Sequence, residues 1–418
     1  MPTFRPDKRD LTSVEPDRHR SLTGRQTLGE PTRRRQAIHE PTRPTTYRKL
    51  RASARNNRYP SYKSAIHVVP LRYDLNLQPN TPEAPVKLRK AAESSIALSE
   101  LGIGTWELAG DVWGQTEDRE SKRAIATGIE CGATYIDTAA GYGDGHVETL
   151  IGEMIASGEI DRTSTHISTK VIPKNLVWAP NPDVSIADVY PPEWIIEQTH
   201  KSLERLQTDY IDTLFMHTWS RAWAAEERWL EAIAELKDDG LIGAVGISVP
   251  DERPDDANTF IATGQIDAVQ LVLNVFQQEP VWTVLPIATK NDVAVIARSP
   301  FSSGALVQGW TTDMNFPEGD WRATWPLGVK PQWLENQCEM ADSVKPILEA
   351  TGLSYAQAAL RFILDYAVTS VIPGSANADH VRENMTAAGV SRLDEQVHAD
   401  LVHLWSTGKI AGTYNGSV

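Results

Sequence analysis

Thr134-Tyr-Ile-Asp-Thr-Ala-Ala-Gly-Tyr-Gly143 is a short apolar run that ends in a carboxylate, followed by a turn of small residues that presents a phenol. Core packing does not call for Asp137 and Tyr142 in those places. At the C-terminal edge of a parallel strand, the two would be acid/base groups held over the mouth of a barrel. The chain on either side repeats the same unit, a short apolar strand and then an amphipathic helix. Strands are expected to start at Leu101, Tyr135, His166, Tyr210, Ala244, Ala268, Ala294 and Thr369. Helices are expected between them, among them Glu117 to Cys131 with Thr116 as N-cap, Trp223 to Asp239, and Pro280 to Lys290. Strands alternating with helices imply parallel pairing and right-handed crossovers. Eight such units fit a (β/α)8 TIM barrel better than an open sheet. No G-x-G-x-x-G opens a helix after a strand, which disfavours a Rossmann domain. No Walker A sequence and no metal-type His cluster is present, so no metal is expected.

Before the barrel, Val86 to Arg89 and Ser95 to Leu98 alternate and read as a hairpin lid. Residues 1–85 are rich in Arg, Pro, Thr and Asn and lack useful periodicity. They read as a basic, disordered N-terminal extension, because such composition does not offset its ordering entropy. An over-extended gene start and a basic arm for an anionic surface are the alternatives. The barrel is assigned to residues 86–418.

The net charge of -14 is unevenly spread. Residues 1–90 carry 20 Lys and Arg against 8 Asp and Glu, while the remainder holds 21 against 47. An acidic body of that kind is not expected to bind nucleic acid through phosphate contacts. No apolar run approaches the roughly 18 residues of a membrane span, and the N-terminus has no apolar signal region. Cys131 and Cys338 are read as reduced thiols in a cytoplasmic protein. The sequence does not fix an oligomeric state.

Three consecutive strands end in ionisable residues, Asp137, Lys170 and His217. Catalytic groups of a barrel come from the C-terminal ends of several strands. A phenol titrates near about 10, too high for easy proton exchange at neutral pH. An ammonium from Lys170 beside Tyr142 is expected to lower that value, with Asp137 holding Lys170 in place. His217 is placed to donate a hydrogen bond to a carbonyl oxygen. The set lacks a reductant, so a hydride cofactor is required. Taken singly, each residue has an ordinary structural reading; their joint placement points to a site.

These residues carry a resemblance. Tyr135-Ile-Asp-Thr-Ala-Ala-Gly-Tyr-Gly143, Ser168-Thr-Lys170 and Asp209-Tyr-Ile-Asp-Thr-Leu-Phe-Met-His217 resemble the signature segments of the aldo-keto reductase superfamily, and the similarity runs from about Leu88 to Trp405. The resemblance implies a (β/α)8 barrel binding NADPH, in preference to NADH, across the strand ends. It implies a tetrad of Asp137, Tyr142, Lys170 and His217, with Tyr142 as general acid in the reduction of an aldehyde or ketone. An NADP(H)-binding regulatory subunit of slow turnover and a cofactor-free isomerase or lyase are the competing functions.

On the cofactor side, the resemblance puts Thr105 and Trp106 against the dinucleotide. Ser248 and Gln270 match residues that hold the carboxamide, with Val249 in place of an asparagine. Arg298 stands where many members stack an aromatic on the nicotinamide, and a guanidinium plane also stacks. Ser299, Pro300, Phe301, Ser303, Gly304 and Leu306 belong to a loop that faces the pyrophosphate. Ile372, Pro373, Gly374, Ser375, Asn377, His380, Glu383 and Asn384 belong to an adenosine-phosphate segment leading into a helix N-terminus. There Gly374 replaces the lysine of some members and His380 occupies the position of a phosphate-binding arginine, with Arg382 nearby. Trp106, Trp113, Trp178 and Trp219 fall in loops near the expected mouth, and Trp106, Trp113 and Trp219 are assigned to the substrate pocket. Two long loops, 173–192 and 307–334, carry specificity without a readable code.

Overall fold

The computed structural model describes residues 86–410, apart from 92, 179, 308, 318 and 325–329. The extension expected over 1–85 and Trp325 of the long loop lie outside the described residues.

Ten strands are formed among the described residues. β1 (Leu88–Lys90) and β2 (Ala97–Ser99) pair as an antiparallel hairpin. The barrel strands are β3 (Ile103–Gly104), β4 (Tyr135–Asp137), β5 (His166–Val171), β6 (Ile211–Met216), β7 (Ile242–Ser248), β8 (Ala268–Val272), β9 (Ala294–Arg298) and β10 (Ser370–Val371). They lie side by side in chain order, every neighbouring pair parallel. The first and last strands meet through parallel bridges, Leu101 to Val371 and Gly104 to Gly374, so the sheet curls round and closes. This is the (β/α)8 architecture the alternation predicts.

Closure divides the apolar residues into two sets. Tyr135, Phe215, Ala244, Ala268, Ala294, Ile296 and Ile372 point into the barrel and pack there with Ile96 and Leu98 of the hairpin. The hairpin thus plugs the floor, at the N-terminal ends of the strands, and leaves the opposite end for chemistry. Arg89 fixes it, paired with Glu100 at 2.6 Å and donating to the carbonyl of Leu364 at 2.8 Å. A larger set, including Ile136, Ile167, Leu214, Val245 and Val295, faces outward against the helices.

The helices follow from local signals, with instructive departures. Ser354 and Gln357 form a reciprocal capping box that starts helix Tyr355–Leu364. The expected cap Thr116 does not act as one: its hydroxyl donates to the carbonyl of Leu108, and the helix Asp118–Glu130 begins after Glu117. The single helix expected over Pro280 to Lys290 is broken into Glu279–Thr283 and Leu285–Lys290. Pro286 has no N–H to donate backward, so the ladder cannot continue through it. Trp223 to Asp239 likewise splits, into a turn of 3-10 helix at Arg221–Ala225 and an α-helix at Arg228–Asp238. No helix among the described residues is long and apolar enough to cross a membrane.

Candidate active site

Parallel pairing sets the ends of β4, β5 and β6 at one level. Asp137 is the last residue of β4, Lys170 the last but one of β5, and His217 directly follows β6. Tyr142 comes from the turn after β4, where its N–H bonds to the carbonyl of Ala139 at 3.0 Å. Gly143 allows that turn to close: its φ is +60°, and a Cβ there would lie 2.8 Å from the carbonyl oxygen of Ala109.

Lys170 is 1 % exposed and Asp137 2 %. A buried ammonium survives only when it is paired and fully hydrogen-bonded. Lys170 Nζ uses its three donors on Asp137 Oδ2 at 2.7 Å, the carbonyl of Thr138 at 2.8 Å and the phenol oxygen of Tyr142 at 3.1 Å. The other carboxylate oxygen, Oδ1, accepts from Ser168 Oγ at 2.8 Å, from Gln270 Nε2 at 2.8 Å and, more loosely, from Tyr135 OH at 3.4 Å. Thr105, expected among the cofactor residues, is fully buried and donates its hydroxyl to the carbonyl of Asp137 at 2.9 Å. Asp137 is thus held from both sides, with its Oδ2 edge toward Lys170.

The electrostatics correct one expectation. Burial raises the Tyr142 phenol above its ordinary value; Lys170 pulls it down and Asp137 pushes it up, and burial wins. Lys170 therefore moderates a raised pKa and does not produce a lowered one. Burial pulls Lys170 down, but Asp137 and Tyr142 together leave it raised, so it stays an ammonium. Burial also pushes His217 well below the usual imidazole range, and the positive charges of Lys170 and Arg298 add to the effect. His217 is a neutral imidazole. Its ring meets Tyr142 edge-on at 5.8 Å, and its Nδ1 is buried without a partner, which leaves the Nε2 side as the open edge.

An indole wall surrounds this cluster. Trp106 stacks between Tyr142, at 6.3 Å, and Trp321, at 6.5 Å, and Trp113 meets both indoles edge-on. Trp178 stands edge-on to His217 at 4.8 Å and is 49 % exposed. Trp219, assigned above to the substrate pocket, is elsewhere. It is fully buried and packs against Trp223, Trp229 and Phe260, because the chain after His217 turns outward beneath the helices. Trp178 takes the place at the mouth that Trp219 was expected to fill.

Most of the residues expected around the cofactor follow one another along a path over the strand ends from β7 to β10. Ser248 and Gln270 are register partners on β7 and β8. The side chain of Gln270 donates to Asp137, so its carbonyl is the group left to meet a ligand amide. Arg298 ends β9 and is fixed by an ion pair with Asp251 and a hydrogen bond to the carbonyl of Val249 at 3.1 Å. In the following loop Ser299, Ser302, Ser303 and Gly304 all have positive φ, a tight backbone curl of the sort that turns successive amides toward an anion. These features fit a dinucleotide. Leu306 and Ile372 do not point at such a path: the first lies in the outer core and the second in the barrel interior, leaving only their backbones for it. Asn377 caps the helix Ala378–Thr386, its Oδ1 accepting from the amides of Asp379 and His380. Glu383 is exposed and Asn384 is buried at the foot of this helix.

Three residues were not singled out in the sequence. Trp321 and Arg322 belong to the long loop after β9. Arg322 binds Asp320 at 2.6 Å and the carbonyl of Ser303 at 2.9 Å, and lies over the rings of Trp113 and Phe316, folding that loop back over the curl. Glu107, next to Trp106, puts its carboxyl against Gly374. A charge beside a predicted site tryptophan was the signal available for it; nothing in the loop composition pointed to the other two.

A barrel with a buried Asp–Lys–Tyr chain and a neutral histidine at one strand level defines a class of carbonyl-directed oxidoreductase folds. The Aldo/keto reductase family model matches residues 100–406, and the chain belongs to that family. Among curated relatives it is 32% identical over 275 residues to the aldo-keto reductase YhdN of Bacillus subtilis, covering 66% of this chain and 80% of that one. It is 27% identical over 316 residues to the NADH-specific methylglyoxal reductase of Escherichia coli, covering 72% and 93%. Among solved structures, the Bacillus halodurans aldo-keto reductase AKR11C1 in its holo form superposes with a TM-score of 0.59 at 24% identity, covering 79% and 98%. A Klebsiella pneumoniae aldo/keto reductase in complex with NADP and acetate gives 0.55 at 22%, covering 77% and 96%. The chain is a nicotinamide-dependent oxidoreductase of this family.

Proposed function

We propose that this protein reduces the carbonyl group of a small aldehyde or ketone to an alcohol, with Tyr142 as the general acid. The observation that carries this reading is the three-way contact of Lys170 Nζ with Asp137, Thr138 and Tyr142. A nicotinamide dinucleotide held along the strand ends would supply the hydride, two electrons with a proton's nucleus, that the carbonyl carbon requires. Tyr142 gives its phenolic proton to the oxygen that becomes the alcohol and recovers one from solvent. Its raised pKa keeps that proton available throughout the neutral range. Lys170, permanently charged, stabilises the phenolate formed in the transfer. His217, neutral, donates from its open edge to the same carbonyl oxygen and orients it. Ser248 and the carbonyl of Gln270 hold the carboxamide, and the Arg298 plane, fixed by Asp251, supports the ring.

The indoles of Trp106, Trp113 and Trp178 bound the substrate. Leu176 and Val177, 63% and 46% exposed, extend that wall next to Trp178 and favour carbonyls with an apolar body. A cytoplasmic location accords with the free thiols Cys131 and Cys338.

The test is a fluorescence titration with NADPH and NADH, then a panel of aldehydes and ketones with the tighter cofactor. Binding followed by cofactor oxidation that depends on the carbonyl is the expected result. Tight binding with no turnover across the panel would instead support a nucleotide-sensing role.

A further inference from the structure

We propose that Glu107 gives this protein a preference for NADH over NADPH, by setting a carboxylate against Gly374 at the meeting of β3 and β10. The proposal rests on the reading of the chain as a nicotinamide-dependent carbonyl reductase. The resemblance alone pointed to NADPH; the charges at this end of the groove point the other way.

The geometry is specific. Gly104 and Gly374 are bridge partners where the barrel closes, so the two chain segments run in contact. A Cβ built on Gly374 would fall 1.7 Å from Glu107 Oε2 and 2.5 Å from Oε1. The carboxyl of Glu107 therefore fills the volume that any side chain at position 374 would occupy. A lysine there would bring a cation to the groove. The Glu107–Gly374 pair brings an anion.

Glu107 is also poorly compensated. Among the described residues, no side chain donates a hydrogen bond to it. The cation that acts on it from another element is Arg322, which is already bound to Asp320. Burial raises its pKa, partly offset by its own backbone N–H and by Arg322, to about 7. A carboxyl left in that state has spare capacity to accept hydrogen bonds, which ribose hydroxyls supply and a phosphate cannot.

The next segment adds no net positive charge to offset this. From Gly374 to Asn384 the ionisable residues are Asp379, His380, Arg382 and Glu383, two acids against one permanent cation. The first helix amides, a natural phosphate seat, are taken by the Asn377 side chain. Pyrophosphate is common to both cofactors, so its repulsion from Glu107 cancels in the comparison. The extra phosphate of NADPH does not cancel. The repulsion between one carboxylate and a phosphate dianion sharing a wet cleft gives roughly fivefold discrimination.

The experiment measures dissociation constants of NADH and NADPH by fluorescence at pH 8, for the full chain, Glu107→Gln and Glu107→Asp. The wild type is expected to bind NADH at least about fivefold more tightly. Glu107→Gln, of equal size and no charge, narrows that ratio by about fivefold, and Glu107→Asp, which keeps the charge, largely retains it. A wild-type preference for NADPH, or a ratio unchanged in Glu107→Gln, overturns the proposal while leaving the reductase reading intact. Binding of neither cofactor overturns both.

Discussion

The ammonium nitrogen of Lys170 lies 3.1 Å from the phenol oxygen of Tyr142 and 4.8 Å from the centre of its ring. The contact orders the phenol and meets its charge at the moment the proton leaves. Tyr142→Phe keeps the ring and its stacking on Trp106 but has no proton to give. We expect turnover to fall by about 10²- to 10⁴-fold, with cofactor affinity within about twofold of wild type. Single-turnover oxidation of bound cofactor measures the first, and a fluorescence titration the second. Loss of binding with unchanged turnover per bound enzyme would contradict the assignment.

The same site fixes a pH profile. Tyr142 is raised, Lys170 is raised and His217 is depressed, each away from neutrality. None of the three changes protonation in the neutral range, so kcat for reduction at saturating cofactor should be flat from about pH 6.5 to 9. An acid or base limb centred near pH 7.5 in kcat would mean that another group carries the proton.

The Asp137–Lys170 pair is buried on both sides, and removing one partner strands the other. Asp137→Asn leaves an ammonium facing a neutral amide and should destabilise the fold by about 3–5 kcal/mol. Replacing both, as Asp137→Asn with Lys170→Met, removes the stranded charge and should recover part of that loss. Urea unfolding of both single variants and the double variant reads the difference. Additive losses would show that the pair is not coupled through its charges.

Much of this site was legible because strand ends are legible. Asp137, Lys170 and His217 each stop an apolar run, and parallel strands bring such stops to one level. Thr105 and Gln270 were placed near the site, but their bonds to Asp137 depend on distances across the barrel that a linear sequence does not carry. Trp219 and Trp178 were harder to separate. Both sit in loops beyond strand ends, and only the outward turn after His217 decides that one indole is core and the other wall. The break at Pro286 was written in the sequence and could have been taken from proline's missing donor. The Glu107–Gly374 contact joins two ends of the barrel that are far apart in the chain, so only closure reveals it.

That separation of the two tryptophans is measurable. Trp219→Ala removes a fully buried indole from a cluster of aromatic rings and should cost about 3–5 kcal/mol in unfolding free energy. Trp178→Ala removes a half-exposed ring from the mouth and should cost far less, within about 1 kcal/mol. Its effect falls on substrate instead, raising KM for bulky apolar carbonyls more than for small ones. Equal stability losses in both variants would place Trp178 in the core.

Glu107 makes a second pH prediction, independent of cofactor. Burial holds its native pKa at about 7, against an ordinary value of 4.5. Between those two pH values the native state binds more protons at this site than the unfolded chain does, so stability falls as pH rises through the window. Below about pH 4.5 the carboxyl is neutral in both states and costs nothing; above about 7 the full penalty of a partly buried, poorly compensated carboxylate is present. Glu107→Gln removes the titration and keeps the volume against Gly374. Its melting temperature should exceed the wild-type value at pH 8, and the gap should shrink progressively at pH 6 and pH 5. A gap of the same size at every pH would mean that the substitution acts through packing, and that the carboxylate bears no buried charge at neutral pH.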